Sequence, residues 1–388
     1  DEVANSIRIG AKQQWSRDDA LLGSLIVQDV STSLDNGNEY DFRLEQQGYS
    51  ADLQHIRTGR SVQIQSGIVY ARQDENSVTR LAFPGLPPMI EGAGESSQLG
   101  VYSYAHFNPS AALTLTAGAS FDEIDDTFVE DQTWNPKLGV IWRPNARTTL
   151  RAAALEVLFG SLTTSTQNPQ PRLEPVQVAG FTQLLFGGRA DRSKVGSLAI
   201  EHEFSSRVFV GWEATERDTD RVAIDAFAQP GDPLIEIALN ERGQQAYLYW
   251  TPGDRVSVST RYEHGRFKSD PGDFSGYSEM TTRRLPLELR YFTRGGLTLG
   301  ARATYVEQEG VFMMSSSTPG PPALQPGHDR FGVLDAFIGY RLPNRRGLLS
   351  LNADNLLDES FQFQDIDPTN PSIMPERLVS FRFTLAFD

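Results

Sequence analysis

Histidine is the side chain best fitted to move protons or hold a metal near neutral pH, and this 388-residue sequence has five, at His55, His106, His202, His264 and His328. Each stands alone in its segment. None falls in a His-x-x-x-His, Glu-x-x-His or Cys-x-x-Cys pattern, so a metal site would have to assemble across distant segments. His264 and Ser259 come nearest to a base and its nucleophile. An odd separation places them on opposite faces of an extended chain, which disfavours a hydrolase. No cysteine occurs, which removes disulfides, thiolate metal sites and thiol catalysis together. The expectation is a protein that is not an enzyme, with no catalytic residues, no cofactor and no dedicated metal site.

Carboxylates offer the next chemistry. The run Asp122-Glu123-Ile124-Asp125-Asp126, followed by Glu130-Asp131, is a weak calcium candidate through Asp122, Asp125 and Asp126. Asp365 and Asp367 make a second small cluster. Neither has the glycine and ligand spacing of a dedicated calcium loop, so a solvated acidic loop is the simpler reading. If such loops bind divalent ions, those ions would bridge to lipopolysaccharide phosphates.

The most systematic pattern is alternation. Val379, Phe381, Phe383, Leu385 and Phe387 alternate with Leu378, Ser380, Arg382, Thr384 and Ala386. Leu285, Leu287, Leu289 and Tyr291 alternate with Arg284, Glu288 and Arg290, and Val256, Val258 and Tyr262 with Ser257, Arg261 and Glu263. Period two with one apolar and one polar face is the pattern of a half-buried strand. About 18 such segments can be counted, in a range of about 16–20, with uncertain parity between Leu173 and Asn240. Short turns such as Pro144-Asn145, Pro252-Gly253-Asp254 and Gly295-Gly296 alternate with long polar connections at 73–96, 122–133, 160–175, 218–242, 268–280, 309–328 and 358–375. Phe107, Trp142, Trp250, Phe292 and Tyr340 fall beside the short turns, where amphipathic rings would sit at a membrane interface.

Composition alone looks like a soluble acidic protein, with 39% hydrophobic and 22% charged residues and a formal net charge of −15. That balance, with only four lysines, argues against nucleic acid as a partner. No run approaches the ~20 apolar residues of a spanning helix. A soluble β-sandwich shows the same alternation, but asymmetric loop lengths and long strands favour an all-β, transmembrane up-and-down antiparallel barrel in the bacterial outer membrane. No linker or repeat divides residues 1–388, so the chain reads as one domain. The charges of its polar face are then the residues to watch: Arg43, Glu45, Arg151, Glu201, Glu203, Glu213, Arg261, Glu263, Arg284, Glu288, Arg290, Arg302 and Arg382. In a wet lumen they would select permeants by charge and size. Alternatively they pair with one another and stiffen a closed barrel.

Several segments resemble one family. Asn135-Pro136-Lys137-Leu138-Gly139-Val140, Arg143-Pro144-Asn145 and Thr149-Leu150-Arg151-Ala152 resemble a strand pair of the TonB-dependent receptor barrel. Leu173-Glu174-Pro175 looks like that family's return after a loop. Asn355-Leu356-Leu357-Asp358 is similar to its Asn-Leu-Phe-Asp element, with Leu357 in place of phenylalanine. The closing segment, with Phe381, Phe383 and Phe387, looks like the terminal strand that the barrel-assembly machinery reads, although Asp388 follows the aromatic. The resemblance is good over 135–190 and 330–388 and elsewhere rests on rhythm. It implies a receptor barrel, yet the family places a globular plug and a TonB-contacting segment ahead of about 22 strands. This chain starts on a strand, with no room for a plug, and carries fewer strands. Its last 130 or so residues also resemble barrels that follow a periplasmic tetratricopeptide array.

The expected function is therefore a passive outer-membrane pore or export conduit for solutes or polymer. The alternative is a barrel anchoring a larger secretion or surface assembly with a periplasmic helical-repeat partner. An outer-membrane hydrolase comes last. Outer-membrane lipid, lipopolysaccharide and the barrel-assembly machinery are the expected partners.

Overall fold

The structure, a computed structural model, describes residues 2–35, 40–81, 89–127, 129–160, 172–183, 190–224, 234–270, 277–314, 323–365 and 372–385. The strands in chain order are β1 (Glu2–Gln14), β2 (Asp19–Asp35), β3 (Tyr40–Thr58), β4 (Val62–Leu81), β5 (Met89–Ser110), β6 (Leu113–Asp126), β7 (Glu130–Asn145) and β8 (Thr148–Gly160). Two short strands follow, β9 (Gln177–Val178) and β10 (Phe181–Thr182). Then come β11 (Ala190–Ser205), β12 (Val208–Ile224), β13 (Leu234–Gly253), β14 (Val256–Ser269), β15 (Tyr277–Phe292), β16 (Leu297–Met314), β17 (Ala323–Arg341), β18 (Gly347–Asp354) and β19 (Leu378–Leu385). Seventeen strands form one sheet, while β9 and β10 pair as a separate hairpin. The ladders from β1–β2 through β6–β7 and from β13–β14 through β18–β19 join sequence neighbours antiparallel, and β8 pairs with β11 across the small hairpin. This up-and-down order is the one the alternating turns and loops imply.

By spatial contact the chain divides into two compact units. The first comprises Asp1–Trp142, Arg151–Gly196 and Arg217–Ala238, and the second Arg143–Leu150, Ser197–Glu216 and Leu239–Asp388.

In the first unit the register aligns like with like. Leu53 pairs with Ile68, Ile68 with Val101, Val101 with Phe121 and Phe121 with Trp134, an unbroken apolar row across β3–β7. One residue along, Gln54, Gly67, Tyr102, Ser120 and Asn135 form the matching polar row. Gly67 is required there, because a Cβ would come within 2.4 Å of the Tyr102 hydroxyl. Burial is inverted relative to a water-soluble protein. Polar-face Asp52, Gln54, Gln98, Tyr104, Asp122 and Lys137 are buried, whereas Leu53, Ile68, Val101 and Leu138 are exposed. Large contiguous apolar exposure with a buried polar interior is unfavourable in water and favourable in lipid.

The second unit repeats this arrangement. Val258, Leu289, Ala301, Ala336, Ala353 and Val379 form its apolar row across β14–β19, and Leu287 is 52% exposed. Its polar row runs Ser259, Glu288, Arg302, Asp335.

The strands reach further than the sequence suggests. Most of 73–96, expected as a loop, belongs to β4 and β5, and 122–133 is largely β6 and β7. The supposed loops at 218–242, 268–280 and 309–328 are likewise shortened by strand at both ends. Beyond the apolar band a strand has water on both faces, so its sequence is polar throughout and loses the alternation that marks it.

Candidate functional site

The densest charge constellation lies on the polar face of β14–β16. The Arg284 Nε–H donates to Glu263 Oε2 at 2.6 Å, and Arg261 Nη1 lies 3.5 Å from Glu263 Oε1. Glu288 is likewise shared: Arg290 Nε donates to one of its oxygens, and Arg302 Nε donates to the other at 3.2 Å. Each group is an Arg–Glu–Arg triad with one positive charge in excess. Being partly solvated, the pairs add little stability, but they fix the guanidinium planes. Arg261 also donates to the Tyr249 hydroxyl at 3.4 Å, and the Arg290 guanidinium stands 5.1 Å above the Phe337 ring. These triads border a cavity of about 700 Å³ that Asp335 and Asp354 also line, Asp335 being the cross-strand partner of Arg302.

A strap of non-strand chain, 355–365 and 372–377, packs on this face. Asn355 is fully buried and ties its two limbs together. Its Nδ2 donates to Glu359 O at 2.9 Å and Met374 O at 3.3 Å, while its Oδ1 accepts from the Glu359 N–H at 2.9 Å. Phe361 stacks on Phe331 with ring centroids 4.1 Å apart, and Ile373 completes the cluster with Val306 and Val333. Gln308 holds Gln364 by accepting its N–H and donating to its carbonyl. Ser372, Ile373 and Met374 thus line the cavity.

In the first unit, 172–183 occupies the polar face. Asp52 accepts the Leu173 N–H at 2.6 Å, and the Tyr104 hydroxyl donates to Glu174 Oε1 at 2.6 Å. Lys137, 0% exposed, donates to Ser120 Oγ at 2.9 Å and to Asn135 O at 3.3 Å. Arg172 lies 3.6 Å from Glu174. Glu174 sits in the connection between β8 and β9, where burial pushes its carboxyl above the usual range against the pull of Arg172 and Lys137.

The sequence candidates divide by face. Parity puts Arg151, Glu201, Glu203, Glu213, Arg261, Glu263, Arg284, Glu288, Arg290, Arg302 and Arg382 on the polar face. Glu201 accepts from the Tyr247 hydroxyl at 3.1 Å, Glu213 from Gln245 at 3.3 Å, and Arg151 lies over the Phe181 ring at 4.8 Å. Arg382 is opposite Ser350. Arg43 and Glu45 are not polar-face residues: they share a face of β3 with Tyr49 and Leu53, in the part of the strand beyond the apolar row. Phe292 also departs from expectation. It has the parity of Glu288 and Arg290 and lines the cavity, whereas Tyr291 takes the apolar-face position. Phe107, Trp142, Trp250 and Tyr340 are exposed, on the parity of the apolar rows. Phe381 and Phe383 project from the apolar face of β19, and Phe387 lies outside the described residues.

The acidic run 122–126 is strand rather than loop, with Asp122 and Asp126 buried on one face and Asp125 exposed on the other. Asp122 accepts from Ser120 and Asn135, so the three carboxylates do not converge on one ion. Asp365 accepts the Ser372 N–H, and Asp367 lies outside the described residues. Each histidine has a local partner: His55 with Asp19, His106 with Thr116, His202 with Thr148, His264 with Gln244 and His328 with Glu307. Sequence reasoning missed Lys137, Asn355, Asp335 and Asp354 as site residues. Lys137 carried a signal, being a lysine in polar-face phase between Pro136 and Leu138.

Residues 4–182 match the family described as TonB dependent receptor-like, beta-barrel. The match includes the resemblance seen from 135 onward and leaves 330–388 outside it. No curated protein matches the sequence. Among solved structures, the pyoverdine outer membrane receptor FpvA from Pseudomonas aeruginosa PAO1 is 14% identical with a TM-score of 0.69, covering 100% of this chain and 62% of that one. The ferric yersiniabactin uptake receptor FyuA from Yersinia pestis is 14% identical, TM-score 0.67, with 100% and 62% covered. BauA, the ferric preacinetobactin receptor from Acinetobacter baumannii, is 12% identical, TM-score 0.62, with 99% and 63% covered. The chain therefore spans less than two thirds of the length of these receptors.

Proposed function

We propose that this chain, whose residues 4–182 match the TonB dependent receptor-like barrel family, forms the wall of a receptor-type transporter of the bacterial outer membrane, passing a solute along its polar face without a chemical step. The observation that carries this reading is the cavity bordered by two Arg–Glu–Arg triads and packed against 355–365 and 372–377. A wide passive pore needs charges free in a water-filled lumen. Here each Glu is shared by two Arg, and part of the polar face is occupied by the chain's own segments, which suits a binding wall better than an open conduit. The lipid-facing rows supply insertion, the triads supply charge recognition, and the strap limits access to the cavity.

Planar-bilayer recording of the full-length protein tests the proposal. A receptor-type transporter gives no steady open-channel current. Sustained ohmic conductance would overturn it in favour of a passive pore, and Arg290→Glu with Arg302→Glu should then shift the reversal potential.

A further inference from the structure

We propose that a second cavity in the second unit, on the polar face of β12–β15, binds an uncharged sugar ring laid flat on a floor of two glycines. The inference goes beyond the transport reading, and its test reads binding alone. The cavity holds about 440 Å³, toward the small end of ligand pockets, and shares Glu263 and Arg284 with the larger one. Its floor is Gly243 of β13 and Gly265 of β14, direct cross-strand partners.

A glycine inside a strand weakens it, and marks a bulge, a close approach of other backbone, or a ligand. The β13–β14 register runs without a shift from Leu239 to Trp250, which removes the bulge. Among the described residues, nothing lies within 4 Å of a Cβ built on either glycine, which removes close packing. Gly67, Gly211 and Gly300 differ: a Cβ there would come within 2.4, 2.2 and 2.1 Å of a tyrosine or phenylalanine side chain. A ligand is the remaining reason for two adjacent bare positions.

The borders of the floor define the ligand. Two residues toward the short turns, Gln245, Glu263 and Arg284 stand side by side across β13–β15, an amide, an acceptor and a donor in one row. Two residues the other way, Phe267 pairs with Met280, and Met280 lines the cavity together with Phe363 of the strap. From Glu263 to Phe267 along β14 is about 13–14 Å, room for one ring lying flat. Glu213 and Asp365 add further acceptors to the lining. A fixed cation would meet Arg284 and a fixed anion the three carboxylates, whereas a hydroxyl donates to the carboxylates and accepts from Arg284. A pyranose carries a rim of hydroxyls around a C–H face. The rim matches the polar row, and the C–H face lies on the bare peptide planes beside Met280 and Phe363.

Calorimetric titration of the full-length protein in nanodiscs tests this, with the methyl glycosides of glucose, galactose and mannose against open-chain sorbitol and the charged sugars glucosamine and glucuronate. At least one glycoside should bind in the millimolar range, and sorbitol at least about tenfold more weakly. Gly265→Val fills the floor without a clash and suits a strand better than glycine, so binding should fall at least about tenfold with no loss of stability. Gly243→Val, on the neighbouring strand, should do the same. No glycoside binding at about 10 mM, sorbitol binding as well as the glycosides, or both valine variants within about twofold of wild type overturns the proposal. Preference for glucosamine or glucuronate also overturns it, since either outcome describes an ion site. The bilayer recording separates the two readings: a steady current with glycoside binding intact refutes receptor-type transport and leaves the sugar site standing, whereas no current and no binding refutes the sugar site alone.

Discussion

Asn355→Ala should release the strap selectively, and the structure sets the scale. The change removes two bonds of 2.9 Å to the backbone of Glu359, leaving that N–H and carbonyl without their partner, together with the longer contacts to Met374 O and Pro375 O. An abandoned buried polar group costs about 1–3 kcal/mol, so the Glu359 pair is worth roughly 2–6 kcal/mol. Asn355 also has φ +47, where a Cβ without a local hydrogen bond costs alanine roughly 1 kcal/mol more. Local opening should become easier by roughly 3–7 kcal/mol, more than about a hundredfold in exchange rate. Hydrogen–deuterium exchange in nanodiscs reads this at the Glu359, Gln362 and Gln364 amides, which donate to Asn355, Asp329 and Gln308. Asn355→Gly loses the same bonds but not the backbone preference, and should exchange about fivefold more slowly than the alanine variant. Protection of these amides within about threefold of wild type would refute the reasoning, as would equal acceleration in the β16–β17 ladder.

Three further outcomes follow from packing, charge and face. Gly300→Ala places a Cβ 2.1 Å from the Phe337 ring, so the ring and the Arg290 guanidinium above it must shift; the expected loss is about 1–3 kcal/mol in urea unfolding from lipid vesicles, and an unchanged midpoint contradicts it. Leu287→Arg introduces a charge in the middle of the apolar face, costing roughly 2–4 kcal/mol in the same assay, whereas an effect below about 0.5 kcal/mol would mean that this face does not meet lipid. The raised Glu174 carboxyl binds its proton more tightly folded than unfolded, so docking of 172–183 is fully supported below the ordinary glutamate range and weakens as pH rises through the raised value. Glu174→Gln should flatten that dependence in limited proteolysis, and a wild-type profile already flat from about pH 4 to 8 would oppose it.

Period-two alternation made the strand class legible, because a strand between lipid and a polar interior must alternate. Strand ends were not legible for the same reason: past the apolar band nothing distinguishes the faces. Arg43 and Glu45 show the consequence. Polar type suggested the polar face, but their parity with Tyr49 and Leu53 was already written in β3. Phe292 shows the complementary error, since of two adjacent aromatics at a strand end only one can face outward, here Tyr291. Proximity to a turn is the weaker signal, and parity the stronger. Asn355 was visible as part of a motif, yet its role depends on two limbs of one loop meeting around a single side chain, which spacing does not encode.

The polar face itself is where alternation says least. A sequence pattern shows that a face is polar, not what meets it. In the first unit Asp52 and Tyr104 are covered by 172–183, and in the second Gln308, Phe331 and Asp335 are covered by 355–365. Those contacts satisfy buried polar groups that water would otherwise serve. On the proposed transport reading, the charges left beside the larger cavity are the ones open to a solute: the two triads with Asp335 and Asp354. A pore reading treats every lumen arginine as equivalent. They are not: Arg290 and Arg302 border open space, whereas Arg172 is paired with Glu174 and Lys137 is buried on Ser120 and Asn135. Substitutions in the first pair should therefore alter solute preference, and those in the second should alter stability.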